Sequence, residues 1–273
     1  MNKVWVCLLL LVSLQVSADA RNDFNSCRDL LSESSAEPTL YQRELFVIVD
    51  QTVRLDVALK RHVHATVHEF LQPGDRITLL TFSAYAQSHY ASMPLSGATD
   101  ALLDDDTRYH TSLTSLRKFD RCMARQGEVV RRHIDMALKT ALNGGDDSLP
   151  RTEVAASLAE FGANVIARST AKRRVVLLVS DMLENSSTAS FYRNGELVQL
   201  DVAAAMKTTV ASGALSDWQE AEIFIIGAAY SPQGVYRTRP VLESLKKFWS
   251  IYLEKSNARL VGWGQPELLA QIP

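Results

Sequence analysis

The chain has 273 residues, of which 47% are hydrophobic and 22% are charged, and its formal net charge at pH 7 is -2. This is the composition of an ordinary globular protein, and it excludes a disordered or a membrane-rich chain. Because acidic and basic residues nearly balance, the charge gives no reason to expect nucleic acid or an anionic membrane surface as a partner.

The first 20 residues predict a secretory signal peptide, with cleavage before Arg21. Lys3 supplies a positive charge, residues 4–16 are almost all apolar, and residues 18–20 place small side chains at the cleavage positions. No later segment reaches about 18 consecutive apolar residues, the length that a membrane-spanning helix needs. We therefore expect an exported protein, periplasmic or extracellular, with no membrane span in its mature chain.

Two cysteines remain beyond the predicted signal peptide, Cys27 and Cys122. In an oxidising compartment two such thiols suggest a disulfide, and two unpaired thiols are the alternative. A bridge would tie the N-terminal lead-in, residues 21–42, to the middle of the chain. It would also restrict the unfolded chain by closing a long loop.

A buried strand is predicted at residues 45–50, which are almost all apolar and end in Asp50. A short apolar run rich in β-branched residues is typical of a strand buried on both faces of a parallel sheet. A helix at residues 55–70, a strand at 76–82 and an edge strand at 85–95 are predicted next. An irregular insertion at 97–127 and a helix at 128–142 follow.

The second half of the chain also contains a predicted strand that ends in an aspartate. A helix is predicted at residues 151–167, and a second strand with an apolar centre is predicted at residues 174–181, ending in Asp181. A polar loop at residues 184–197 and a helix at 198–211 are predicted next, followed by a strand at 222–227. The last predicted elements are a helix at 241–253, a short strand at 259–262 and a C-terminal tail at 264–273.

This alternation predicts one α/β domain at residues 43–263. Its fold is a doubly wound, mostly parallel central sheet with helices on both faces and one antiparallel edge strand. In such a sheet, ligands gather where the carboxyl ends of the strands meet the following helices. We therefore expect Asp50 and Asp181 at one edge, where a hard cation could neutralise both carboxylates.

Four residues of the chain resemble the metal-ion-dependent adhesion site of von Willebrand factor type A domains. That family carries an Asp-x-Ser/Thr-x-Ser motif after its first strand, a threonine in a mid-chain loop and an aspartate after a later strand. Asp50 and Thr52 match the first two motif positions, Thr152 matches the threonine, and Asp181 matches the last aspartate. The resemblance covers about residues 43–263.

The resemblance implies a domain that binds Mg²⁺ (or Mn²⁺) through these four side chains. One coordination position would stay open for an acidic residue of a protein partner. Residues 50–52, 180–186 and 245–249 are also similar to those of a bacterial envelope group of the family, which has no established biochemical role.

The sequence departs from the family motif at Arg54, where a second metal-binding serine is expected. A guanidinium is a permanent donor and cannot be a ligand. Arg54 either points away, leaving waters to complete the shell of Mg²⁺, or replaces the ion by pairing with Asp50 or Asp181. Arg151 could do the same. A further alternative is that both aspartates only cap the helices that follow them.

Two other groups of residues are candidates for function. Phe191, Tyr192 and Arg193 lie in the predicted loop after Asp181 and could contact a partner, although loop packing explains them equally well. His64 and His68 have the spacing of a helical zinc site, but no third ligand is evident. We therefore expect that pair to face solvent.

We expect a secreted protein-binding module and not an enzyme. The alternative is a metal-free structural or assembly subunit whose site has degenerated into a salt bridge. A more remote alternative is a metal-dependent hydrolase that uses Asp50 and Asp181.

Overall fold

The computed structural model of the protein describes residues 21–31, 41–83, 91–146, 152–194, 196–231 and 237–273. The predicted signal peptide lies outside these residues, as do residues 85–90 of the predicted edge strand. The strands are β1 Arg43–Asp50, β2 Arg76–Phe82, β3 Ser92–Ala98, β4 Arg173–Val179, β5 Tyr192–Arg193, β6 Glu196–Leu197, β7 Ala221–Ile226 and β8 Ala258–Trp263. The α-helices are α1 Val57–Phe70, α2 Asp105–His110, α3 Leu113–Asn143, α4 Val154–Asn164, α5 Val202–Ala211 and α6 Arg239–Lys255.

Six of the strands form one sheet in the order β3-β2-β1-β4-β7-β8, and β5 pairs with β6 in a separate hairpin. β3 runs antiparallel to β2, whereas the other neighbouring strands of the large sheet are parallel. The predicted α/β fold, doubly wound with one antiparallel edge strand, is therefore confirmed. The edge strand itself is placed at Ser92–Ala98.

The side chains of β1 alternate between two apolar cores. Phe46 and Ile48 pack with α4, α5 and α6 on one face, whereas Leu45, Val47 and Val49 pack with α1 and α3 on the other. This alternation follows from the two-residue period of a strand. Because helices cover both faces, every position of the strand can be apolar.

The segment 97–127, expected to be irregular, is instead largely helical. α3 begins after Ser112, whose Oγ accepts a hydrogen bond from the backbone N–H of Ser115 at 3.2 Å. The helix predicted at 128–142 therefore starts at Leu113. The first half of α3 buries only Phe119 and Gln126, so the sequence shows no clear apolar stripe there.

The predicted disulfide is present: Cys27 bonds to Cys122 on α3, with the two Cα atoms 5.6 Å apart. Cys27 packs with Leu103 and Phe119 in a small core. Upstream, the N–H of Asp23 donates to the carbonyl oxygen of Ser96 on β3 at 2.9 Å. The lead-in therefore covers part of the exposed edge of the sheet.

Two helix boundaries also differ from the prediction. α4 begins at Val154 and is followed by a short 3-10 turn, Ile166–Arg168. α5 begins at Val202 because Asp201 caps it, accepting a hydrogen bond from the N–H of Ala204 at 3.0 Å.

The C-terminal residues, expected to be a tail, dock onto the domain. The N–H of Gly227 donates to the carbonyl oxygen of Pro266 at 2.7 Å, the N–H of Leu268 donates to Nε2 of His62 at 3.1 Å, and Ile272 is buried. Among the described residues, no helix is long and apolar enough to cross a membrane.

Candidate functional site

The candidate site lies at the carboxyl ends of β1 and β4, which are neighbours in the sheet. The strand order reverses here: β2 lies on one side of β1, and β4 and β7 lie on the other. Such a switch point leaves a crevice outside the strand ends, because the following connections leave towards opposite faces of the sheet. Asp50 ends β1, and Asp181 follows β4 after Ser180.

Asp50 is almost fully buried and has hydrogen bonds to both carboxylate oxygens. Its Oδ1 accepts from the backbone N–H of Thr52 at 2.9 Å and from Oγ1 of Thr52 at 2.6 Å. Its Oδ2 accepts from Oγ of Ser180 at 2.7 Å. These three donors fix the orientation of the carboxylate.

Thr152 joins the same group of oxygens from a different part of the chain. Its Oγ1 donates to Oγ1 of Thr52 at 3.1 Å. The backbone of Thr152 is held by Asn185, whose N–H donates to the Thr152 carbonyl oxygen at 3.0 Å. The loop after β4 therefore positions the threonine that precedes α4.

The turn that carries Asp181 is tightly held. Oδ1 of Asp181 accepts from the N–H of Leu183 at 2.9 Å, and the N–H of Met182 donates to Oγ of Ser180 at 2.9 Å. Met182 has a left-handed backbone with φ of 62°. Its carbonyl oxygen accepts from Nε1 of Trp249 on α6 at 2.7 Å, which stabilises this turn.

Burial and a neighbouring carboxylate make Asp181 costly to ionise. Burial raises the pKa of Asp181, and the nearby charge of Asp50 raises it further. Burial also raises the pKa of Asp50, although the hydrogen bonds from Thr52 and Ser180 oppose that effect. A buried carboxylate and a half-buried one in the same crevice are stabilised by a nearby cation or by a shared proton.

The four predicted ligands fit a hard cation by their chemistry. Asp50, Thr52, Thr152 and Asp181 offer carboxylate and hydroxyl oxygens, which Mg²⁺ and Mn²⁺ prefer. Simple helix capping does not account for Asp50, because α1 is capped by Asp56, which accepts from the N–H of Leu59 at 2.8 Å.

Arg54 contacts the loop after α3. Its Nε donates to the carbonyl oxygen of Gly145 at 3.1 Å, and its guanidinium lies 3.9 Å from a carboxylate oxygen of Asp146. The side chain is 62% exposed. This geometry matches the first of the two expectations for Arg54, in which it points away. Arg151, the other predicted modifier, lies outside the described residues.

A different arginine supplies positive charge to the site. The charge of Arg237, just before α6, lowers the pKa of Asp181 against the larger effects that raise it. Nε of Arg237 is buried, and no group in the described part of the chain accepts its hydrogen bond. Arg237 belongs to none of the sequence motifs above, and only the folded chain brings it near Asp181.

The predicted partner-contact residues divide between core and surface. Phe191 is fully buried and packs edge-to-face on Phe248, with ring centroids 6.0 Å apart, so packing, the second of the two alternatives, describes this residue. Tyr192 is half-buried, and burial together with the charge of Asp181 raises its pKa to about 12. Arg193 is exposed on the β5–β6 hairpin.

His64 and His68 do have a third polar neighbour, contrary to the expectation. Oδ1 of Asp135 on α3 accepts hydrogen bonds from Nδ1 of His64 at 3.2 Å and from Nε2 of His68 at 2.7 Å. Asp135 could not be recognised as a neighbour from the sequence, because it lies on a different helix from the two histidines.

No protein-family model matches the sequence, and no curated protein matches it. Among solved structures, the pilus adhesin SpaC from Lactobacillus rhamnosus GG matches with 12% identity and a TM-score of 0.42 over 81% of this chain. The chain spans only 28% of the length of that adhesin.

Two structures from Bacteroides also match over most of their own length. An aerotolerance-related membrane protein from Bacteroides fragilis is 13% identical, with a TM-score of 0.33 over 81% of this chain and 92% of its own. The conserved hypothetical protein BatB from Bacteroides thetaiotaomicron is 12% identical, with a TM-score of 0.31 over 80% of this chain and 90% of its own. At such identities a shared function does not follow, so function has to be argued from this chain's own side chains.

Proposed function

We propose that this protein is an exported binding module that recognises a protein partner at the strand-end face of β1 and β4. One observation carries the proposal. Asp50 is buried and Asp181 is half-buried at neighbouring strand ends, among hydroxyl groups, and the charge of Asp50 raises the pKa of Asp181. Such a pair is costly alone and well suited to a divalent cation.

On this proposal Asp50, Thr52, Thr152 and Asp181 hold Mg²⁺ or Mn²⁺. The bound ion would supply an electrophilic position that accepts a carboxylate from the partner. Ser180 supports the site without being a ligand, because its Oγ donates to Asp50. The exposed Arg193 and the half-buried Tyr192 would border the partner, since the β5–β6 hairpin follows Asp181.

A second candidate is a metal-free structural or assembly subunit. The observation that favours it is Arg237, whose charge already acts on Asp181. In that case the guanidinium takes the place of the ion, and partner recognition does not depend on metal. We propose a binding role in either case and no catalysis; turnover of a generic ester or phosphate substrate would overturn that part.

Thermal melting in EDTA, Mg²⁺ and Mn²⁺ tests the metal site. A ligand that binds only the folded protein stabilises it by about 2.7 kcal/mol at 100 times its Kd, so the native Tm should rise by several degrees. Thr52→Val should abolish the rise because the hydroxyl is lost, whereas the matched variant Thr52→Ser should keep it.

Arg237→Ala distinguishes the two candidates. If the strand-end site binds an ion in the wild type, Mg²⁺ raises the Tm of the wild type, and Arg237→Ala keeps or enlarges that rise. If the guanidinium has replaced the ion, the wild type shows no response and Arg237→Ala gains one. Arg54→Ser serves as a control, and it should behave as the wild type because Arg54 contacts Gly145.

A further inference from the structure

The group of His64, His68 and Asp135 lies away from the strand ends, between two helices. His64 and His68 are one turn apart on α1 and therefore share one face of that helix. α1 packs against α3 through a common apolar core, which brings Asp135 opposite that face. The two imidazole rings are nearly stacked, with centroids 6.5 Å apart and planes 28° from parallel.

The three side chains are already close to the arrangement that a metal ion needs. His64 Nδ1 and His68 Nε2 lie 3.2 and 2.7 Å from the same Asp135 oxygen. One ligand atom from each residue falls within 4.8 Å of the other two. In a tetrahedral zinc site with bonds near 2.0–2.1 Å, ligand atoms are about 3.3 Å apart. Small side-chain rotations would therefore suffice.

The surroundings leave room for a fourth ligand. The side chains of His64 and His68 are 28% and 27% exposed, and that of Asp135 is 51% exposed. Three protein ligands and one position open to water is a common zinc arrangement. The neighbouring His62 is already engaged, since its Nε2 accepts from the N–H of Leu268 at 3.1 Å.

We propose that His64, His68 and Asp135 form a second metal site, selective for a borderline transition-metal ion such as Zn²⁺, which cross-links α1 and α3. Two imidazoles and one carboxylate favour Zn²⁺ over Mg²⁺, which prefers oxygen ligands alone. The site is chemically and spatially separate from the strand-end oxygens. It does not depend on the proposed function.

Calorimetric titration of the oxidised protein with Zn²⁺ tests the site, with the visible absorption of bound Co²⁺ as a second readout of its geometry. We expect one ion per chain at this site and an increase in Tm. His68→Ala and Asp135→Asn should each weaken Zn²⁺ binding at least about tenfold, since loss of even an outer-shell partner costs about 10–100-fold.

Two control variants isolate the cluster. His110→Ala removes an exposed histidine that also lies beside an aspartate, Asp106, and it should leave Zn²⁺ binding unchanged. Asp50→Asn should also leave it unchanged, which separates this site from the strand ends. Asp135→Asn preserves shape, so a folded variant is available even if a histidine substitution disturbs packing. Unchanged Zn²⁺ affinity in both His68→Ala and Asp135→Asn, or no Zn²⁺ binding by the wild type, would overturn the proposal.

Discussion

The buried side chain of Glu184, in the turn after β4, holds the start of α4 in place. Its Oε2 accepts from the N–H of Ala155 in the first turn of α4 at 2.9 Å, and only 1% of the residue is exposed. Burial raises its pKa from 4.5 to about 7. The carboxyl therefore holds the start of α4 near Thr152 at the cost of a buried ionisable group.

The raised pKa of Glu184 predicts a pH dependence of stability. The folded protein holds this proton more tightly than the unfolded chain, so the stabilisation is complete below pH 4.5 and is lost as the pH rises through about 7. Glu184→Gln should raise the free energy of unfolding at pH 8 by roughly 2–3 kcal/mol and change it little at pH 4.5. Urea denaturation at both values measures this.

A matched control for that prediction is Glu160→Gln on the exposed face of α4. It should leave the pH dependence as in the wild type. If Glu184→Gln were equally destabilising at both pH values, the carboxyl would act only through its hydrogen bond and its buried charge would not matter.

Close packing at Gly162 determines how near α4 lies to the segment before β7. A Cβ on Gly162 would collide with Oγ of Ser216 and the ring of Trp218, and Trp218 is fully buried. The Nε1 of Trp218 also donates to Oγ of Ser216 at 3.0 Å, so neither neighbour can move freely. This contact sets the distance between α4 and the segment before β7.

Substitution of Gly162 by alanine should therefore destabilise the protein by about 1–3 kcal/mol, because overpacking outweighs the better helix propensity of alanine. The control is Gly127→Ala in α3, where a Cβ would meet nothing within 4 Å. That change should be neutral or stabilising by up to about 1 kcal/mol. Equal effects of the two substitutions on the urea midpoint would contradict the packing argument.

The elements also explain what the sequence could and could not predict. β1 and β4 were predictable because a strand covered on both faces must be apolar throughout, and the parallel order then placed Asp50 and Asp181 together. The first half of α3 was missed because it buries few side chains and is tied down by Cys122. Arg237 and Asp135 were missed because their roles arise from contacts between distant segments, which no local pattern records.

At the scale of the whole molecule, the disulfide joins the lead-in to α3 across a sequence separation of 95 residues. Loss of this bridge in Cys27→Ser/Cys122→Ser should lower the free energy of unfolding by roughly 3–4 kcal/mol, mainly because the unfolded chain gains freedom. Urea denaturation of the double variant beside the oxidised wild type measures the loss. An unchanged midpoint would mean that the bridge adds no constraint.

The two candidate metal sites lie in different parts of the molecule and differ in the chemistry of their ligands. The strand ends present oxygen ligands at one edge of the sheet, whereas the outer surface between α1 and α3 presents imidazole and carboxylate groups. Each can be removed by a substitution that leaves the other intact, so their ions can be counted separately.

The most direct test of the strand-end site is Mn²⁺ binding followed by electron paramagnetic resonance, in which the signal of free Mn²⁺ falls as the ion binds. His68→Ala is the reference protein, because it removes the second site. We predict one bound Mn²⁺ per chain in this reference and none when Asp50→Asn is added, while both proteins remain folded. Equal Mn²⁺ binding by the two proteins, or none by the reference, would contradict a cation site at Asp50 and Asp181.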